Sequence, residues 1–160
     1  MKVYHGSTAC VMQPLAMVGR DNLDFGKGFY VTDIREQTER WALRISIQQK
    51  LPAVLNEYEL NIDVIRQKFR CLKFEAYDIH WLEFIVKSRE GMKPWLNYDL
   101  VEGGVANDRV IDTVEAYMNG MMTTDMVLGR LIMYQPNNQI CLLNQDLIDC
   151  HLHFISSHTL

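Results

Sequence analysis

The sequence has little that staples or punctuates a chain: among 160 residues there are 4 cysteines, 4 prolines and 9 glycines. So few glycines and prolines, with no low-complexity run, exclude collagen-like repeats and a disordered string of modules. Cys10, Cys71, Cys141 and Cys150 form neither a CxxC pair nor the clustered spacing of a disulfide framework or structural zinc site. Reduced thiols in a cytoplasmic protein are therefore expected. No apolar run approaches the roughly 18 residues of a membrane span. Ala9 to Val18 is broken by Gln13 and Pro14 and preceded by His5-Gly6-Ser7, so no signal peptide is expected. A positive excess is also missing. Sixteen Lys and Arg against 20 Asp and Glu leave a formal charge of -4, which argues against a dedicated nucleic-acid coat, because phosphate binding is a basic, salt-dependent effect.

What is present is 48% hydrophobic and 22% charged residues, the balance of an ordinary globular chain. With no internal repeat or linker, a single domain over residues 1–160 is expected, long enough to bury roughly 70% of its unfolded surface.

Lys2 to His5 reads as a strand stopped by Gly6-Ser7-Thr8, and the next twenty residues as loop with a short helix. Phe29 to Thr32 is an aromatic and β-branched strand. Asp33 then offers a cap, and with Glu36 a capping box, for a helix running to Lys50, on which Ile34, Thr38, Trp41, Ala42, Ile45 and Gln49 keep helical spacing. After Pro52, Ala53 to Ile62 alternates as a strand and Asp63 caps a short helix. Leu72 to Glu75 precedes an amphipathic helix from Tyr77 to Arg89, with Ile79, Leu82, Ile85 and Val86 on its apolar side. Tyr98 to Glu102 is a strand entering Gly103-Gly104, and helices follow over 109–119 and 124–134. Pro136-Asn137-Asn138 is a turn, Gln139 to Leu143 a strand, 146–150 a helical turn and His151 to Ser156 the last strand. Strands interrupted by helices without regular βαβ alternation predict an α+β fold.

Gly26-Lys27-Gly28 is not a phosphate loop. A Walker loop needs Gly-Lys, then Ser or Thr and a helix, and a dinucleotide fingerprint also opens a helix; here Phe29 and a strand follow. The more specific pattern is an ordered set: Tyr4-His5-Gly6-Ser7 ending one strand, Phe25-Gly26-Lys27-Gly28-Phe29-Tyr30 entering another, and Thr38-x-x-Trp41 on the helix behind. This set resembles the ADP-ribosyltransferase superfamily in its diphtheria-toxin and poly(ADP-ribose) polymerase branch. There a His-Gly-Ser/Thr motif, a Phe-Gly-Lys-Gly-Ile-Tyr-Phe-Ala-Asp motif and a Ser-x-x-Tyr motif follow in that order. Phe25 to Asp33 reproduces the second with changes at Phe29, Val31 and Thr32. The match covers about the first quarter of the chain. The whole chain is similar to a small bacterial family, domain of unknown function 3990, grouped with that superfamily.

The resemblance implies a split antiparallel β-sheet with flanking helices that grips NAD in a central cleft. His5 would bond a ribose hydroxyl, with Ser7 beside it in the motif. The Gly6 backbone would pair with the nicotinamide carboxamide, closely approached for lack of a Cβ. Tyr30 and Trp41 would sandwich the nicotinamide ring. Thr38, one turn before Trp41, would donate its hydroxyl to the carboxamide. Gly28 lies in the cofactor-binding turn, and Arg20 is a pyrophosphate partner by the fit of guanidinium to phosphate.

The departure comes late in the chain. Where the family has a catalytic glutamate at the start of a strand, this chain has Asn137-Asn138-Gln139-Ile140, with Gln139 in the glutamate's place and Asn138 as the alternative. A glutamine can bond a ribose hydroxyl but brings no charge to offset the oxocarbenium-like cation that grows as nicotinamide leaves. Glu102 and Asp108, flanking Gly103-Gly104, are the acids to examine as substitutes, with solvated loop acids as their ordinary reading. His151-x-His153 could place two imidazoles on one strand face, but without further ligands no metal site is expected. Met118, Met121, Met122, Met126 and Met133 are expected to fill an irregular core.

The implied activity is an NAD-dependent ADP-ribosyltransferase, a glycosyltransferase that modifies a macromolecule and releases nicotinamide. The acceptor is expected to be protein ahead of nucleic acid. Family analogy adds the toxin of a toxin-antitoxin or defence pair, with an antitoxin protein as partner. The rival readings are an inactive NAD- or ADP-ribose-binding module and a ligand-free interaction domain.

Overall fold

The computed structural model describes residues 1–134 and 137–160, and of Asp108 only the backbone. Among the described residues, seven strands form two sheets. β1 (Lys2–Ser7), β3 (Val54–Leu60) and β7 (Leu152–Thr159) make an antiparallel sheet in the order β1-β3-β7. β2 (Phe29–Val31), β6 (Gln139–Leu142), β5 (Leu100–Gly103) and β4 (Cys71–Lys73) make the other, in the order β2-β6-β5-β4. The fold is α+β.

The expected antiparallel pairing fails at one place: β4 and β5 run parallel. A helix, α3 (Ile79–Arg89), connects these neighbours, and a strand that returns through a crossover helix comes back in the same direction.

The second sheet is buried on both faces. Val101 and Cys141 face a core with Phe25, Trp81, Leu82 and Ile85, and with helices α4 (Asp108–Met118) and α5 (Thr124–Leu131). Leu100, Ile140 and Leu142 face a second core, shared with Val3, Tyr58 and Leu60 of the first sheet. This is why Ile140 to Leu143 reads as an unbroken apolar run.

Several local expectations change. No helix forms between Ala9 and Gly28. α1 (Arg35–Gln49) starts after Ile34 with no side-chain cap, because Asp33 accepts a hydrogen bond from Asn138 instead. α3 is capped by Asp78, whose side chain accepts from the Trp81 N–H, and so begins two residues later than its apolar pattern. α2 (Ile62–Lys68) follows Asn61 and lacks a side-chain cap, and α6 (Gln145–His151) takes in His151, so His151 and His153 do not share a strand face. α5 stops at Leu131. Pro136, expected in a turn, lies outside the described residues. Met121, Met126 and Met133 are exposed, against the expected core filling. Among the described residues no helix is long and apolar enough to cross a membrane, and no group of three His, Cys, Asp or Glu is placed to hold a metal ion.

Candidate functional site at the split between the sheets

Among the described residues one isolated backbone bridge joins the two sheets, in which Tyr4 and Thr32 exchange bonds of 2.8 and 3.0 Å. Had the ladder continued, the next hydrogen-bonded pair would be Gly6 with Tyr30. His5 prevents it. Its Nδ1 lies 2.7 Å from the Tyr30 carbonyl, and its ring sits 4.4 Å from that of Phe29. The imidazole thus takes the acceptor that the Gly6 N–H would have used. Alternation along β1 turns the Gly6 N–H and C=O away from β3 toward this split, where neither has a partner among the described residues. A carbonyl only accepts, so Nδ1 carries the proton and Nε2 is left as an acceptor. Burial keeps His5 neutral by pushing its pKa below the ordinary 6.5, with the Tyr30 carbonyl opposing in part.

Gly6 also touches α1. A Cβ there would lie 2.8 Å from the Thr38 carbonyl oxygen and 3.2 Å from the Ala42 Cβ. The glycine is therefore demanded by helix packing, a different reason from the ligand approach expected of it. Thr38 is buried, and its hydroxyl makes a long 3.5 Å bond back to the Ile34 carbonyl, so it is turned to its own helix rather than to the split. Trp41, one turn on, is 55% exposed and forms no part of the core. Ser7 ends β1, and its Oγ accepts weakly from the Ala9 N–H at 3.4 Å.

The turn before β2 is held from three sides. Gly26 has φ +99°, and a Cβ there would strike the Trp95 ring at 2.3 Å; at Gly28 one would meet the Cys141 Sγ at 2.6 Å. The Tyr30 hydroxyl donates to the Gly26 carbonyl (2.7 Å) and accepts from the Phe25 N–H (3.2 Å). Burial drives the Tyr30 pKa well up, so this hydroxyl stays protonated and committed to the turn, leaving the ring as the part of Tyr30 able to meet a ligand. Asp24 pairs with Arg89 at 2.8 Å. Arg20 is exposed, next to Gly19, where a Cβ would lie 3.7 Å from the Gly28 carbonyl oxygen.

Gln139 opens β6 on the sheet face that also carries Tyr30 and Cys141. Among the described residues its Nε2 is buried without a partner, as is Oε1 of Gln37 on α1. The Gln37 Nε2 donates to the Asn138 carbonyl at 2.9 Å. The Asn138 Nδ2 reaches Asp33 at 2.9 Å and Glu102 at 3.4 Å. Glu102 is no solvated loop acid: it sits in β5, 5% exposed, and accepts from Arg66 at 2.8 Å. Its partner across the ladder is Ile140, which places it on the face opposite Gln139. Asp108 opens α4, but its side chain lies outside the described residues.

Sequence reasoning missed Gln37, Arg66 and Asn56. Asn56 is fully buried and holds the segment after β1 through the Val11 N–H (2.9 Å) and the Ala9 carbonyl (3.1 Å), with Tyr58 bonding the Val11 carbonyl at 2.6 Å. A buried asparagine in an apolar strand was the available signal.

Compared with known proteins, residues 1–154 match the family model described as protein of unknown function (DUF3990). No curated protein and no solved structure matches the chain.

Proposed function

We propose that the chain, which belongs to the DUF3990 family of proteins of unknown function, is an NAD-dependent ADP-ribosyltransferase that modifies a macromolecule with release of nicotinamide. The observation that carries this reading is the unpaired Gly6 N–H and C=O at the split. A primary carboxamide offers one acceptor and donors in one plane, the complement of that pair. Beside it, His5 Nε2 can accept from a ribose hydroxyl, and the rings of Tyr30 and Trp41 offer flat faces for the nicotinamide. The three motifs, separate segments within the first quarter of the chain, share this corner through the His5 to Tyr30 bond and the Gly6 to Thr38 packing. Arg20 is the cation for the pyrophosphate. A protein acceptor fits the acidic chain better than nucleic acid, and the place proposed for the activity is a toxin or defence pair with an antitoxin partner.

Gln139 favours a second reading. It brings no charge, and Glu102 is tied to Arg66 on the other face of the sheet, so neither offsets a growing ribose cation. On that reading the chain binds NAD or ADP-ribose without turnover.

Labelled NAD incubated with the protein and cell lysate separates the readings. The transferase releases nicotinamide and labels an acceptor, and His5→Ala or Trp41→Ala abolishes both. Binding without turnover leaves the second reading, and gain of activity in Gln139→Glu identifies the missing carboxylate as the limit. Absence of both binding and turnover overturns both readings.

A further inference from the structure

We infer that the split between the sheets has a closed state, in which Gly6 and Tyr30 pair as the next rung of the ladder, and that His5 is the positioning residue that holds it open. The inference stands on the geometry of β1 and β2 and needs no ligand. Tyr4 and Thr32 exchange both of their backbone bonds, so two residues further into the split the N–H and C=O of Gly6 and of Tyr30 are turned toward the opposite strand. On their outer sides β1 and β2 direct the alternate residues to β3 and β6, which therefore cannot serve these four groups.

Counted in bonds, closure is favourable. The open split holds one bond on these four groups among the described residues, from His5 Nδ1 to the Tyr30 carbonyl at 2.7 Å. A closed rung holds two, from the Gly6 N–H to the Tyr30 carbonyl and from the Tyr30 N–H to the Gly6 carbonyl. What opposes closure is the seat of the imidazole. Its ring lies 4.4 Å from that of Phe29, and Phe29 stands edge-on to the buried Tyr58 at 5.8 Å. Across the ladder from His5 is Asn56, fully buried and committed to the Ala9 carbonyl and the Val11 N–H, which fixes the chain as it leaves β1. A rung brings its two Cα atoms to about 5.5 Å, and a side chain that reaches from beside Gly6 to the Tyr30 carbonyl spans that gap. The imidazole must leave its aromatic seat before the strands can meet. Once they meet, the Gly6 N–H and C=O are committed to the ladder and closed to any ligand that would read them. His5 thus keeps this edge of β1 accessible, apart from any contact of its own with a ligand.

The test is NMR on the protein without ligand. The scalar coupling across a hydrogen bond, between the Gly6 amide nitrogen and the Tyr30 carbonyl carbon, reports the rung directly, and hydrogen exchange of the Gly6 and Tyr30 amides reports its population. Wild-type protein is expected to show no coupling and fast exchange at both amides. His5→Ala, and His5→Val with a strand-forming side chain, should bring the coupling up and slow both amides about tenfold. His5→Asn, whose Nδ2 stands where His5 Nδ1 does and can donate to the same carbonyl, should keep the wild-type pattern. Thermal melting reports the folding of each variant separately. The coupling present in the wild-type protein, or both amides still fast in folded His5→Ala or His5→Val, overturns the inference. Closure in His5→Asn as complete as in His5→Ala overturns the role given to the His5 bond. None of these readouts involves NAD, so their failure leaves the proposed function standing, and failure of NAD to bind leaves the closed state standing.

Discussion

The polar groups around Asp99 and those around Gln139 lie at opposite ends of the same pair of strands, β5 and β6, and they are finished differently. The Asp99 carboxylate accepts four bonds: from Arg70 Nη2, Nε and N–H at 3.0, 3.1 and 2.9 Å, and from Asn144 Nδ2 at 3.0 Å. Asn144 in turn caps α6 through the N–H groups of Asp146 and Leu147. That end is saturated, and the Arg70 guanidinium beside it holds the Asp99 pKa down at about 2. At the Gln139 end, Gln37 Oε1 and Gln139 Nε2 are left without partners among the described residues. A network that serves the fold closes on itself. Groups left open where burial makes them costly are those a ligand would complete.

The comparison can be broken by substitutions at either end. The largest effect is expected at Gly6, where α1 crosses β1 against backbone: Gly6→Ala should cost about 3 kcal/mol in urea unfolding and remove NAD binding with it. Asp99→Ala should cost about 2 kcal/mol, Arg70 being largely solvent-exposed, while the folded protein keeps its NAD affinity. If affinity falls as far as stability does, the two ends are not independent.

Acid sharpens the same contrast. Because the Asp99 pKa is depressed in the folded state, its contribution is complete above the ordinary value of 3.8 and is lost as pH falls through about 2. Unfolding measured from pH 5 downward should show this limb, and Asp99→Asn should flatten it. His5 acts in a higher window. Its folded pKa is lowered, so below pH 6.5 the unfolded chain takes up the proton first and stability declines as pH falls. An NMR titration should find the His5 ring neutral at pH 6.5; a protonated ring there would contradict the assignment of Nε2 as an acceptor. The smallest effect on stability is expected at Trp41. Trp41→Ala should leave the unfolding free energy within about 0.5 kcal/mol, since the side chain is exposed and forms no part of the core, yet weaken NAD binding.

Most strands and helices are legible in the chain, because their patterns arise from local periodicity and burial. Their ends are less so. Asp33 has the residue type and spacing of a cap, but a partner 105 residues away competes for its carboxylate. The direction of β4 is invisible in three residues and follows from the helix that returns the chain. The glycine positions read as a motif, whereas the reasons for them lie in contacts: Thr38 for Gly6, Trp95 for Gly26 and Cys141 for Gly28. Glu102 looked like a loop acid because nothing in its neighbourhood along the chain announces Arg66.

By itself, then, the sequence determined the α+β class, the order of the elements and the presence of the His5, Phe25 to Asp33 and Thr38 to Trp41 motifs, since residue type and spacing act within a few neighbours. Only the tertiary structure decided that the His5 side chain takes the Tyr30 carbonyl from Gly6, that Tyr30 commits its hydroxyl to its own turn, and that Gln37 Oε1 and Gln139 Nε2 are buried without partners among the described residues. Those outcomes depend on which distant groups compete for each donor and acceptor, and that competition begins only when the two sheets meet.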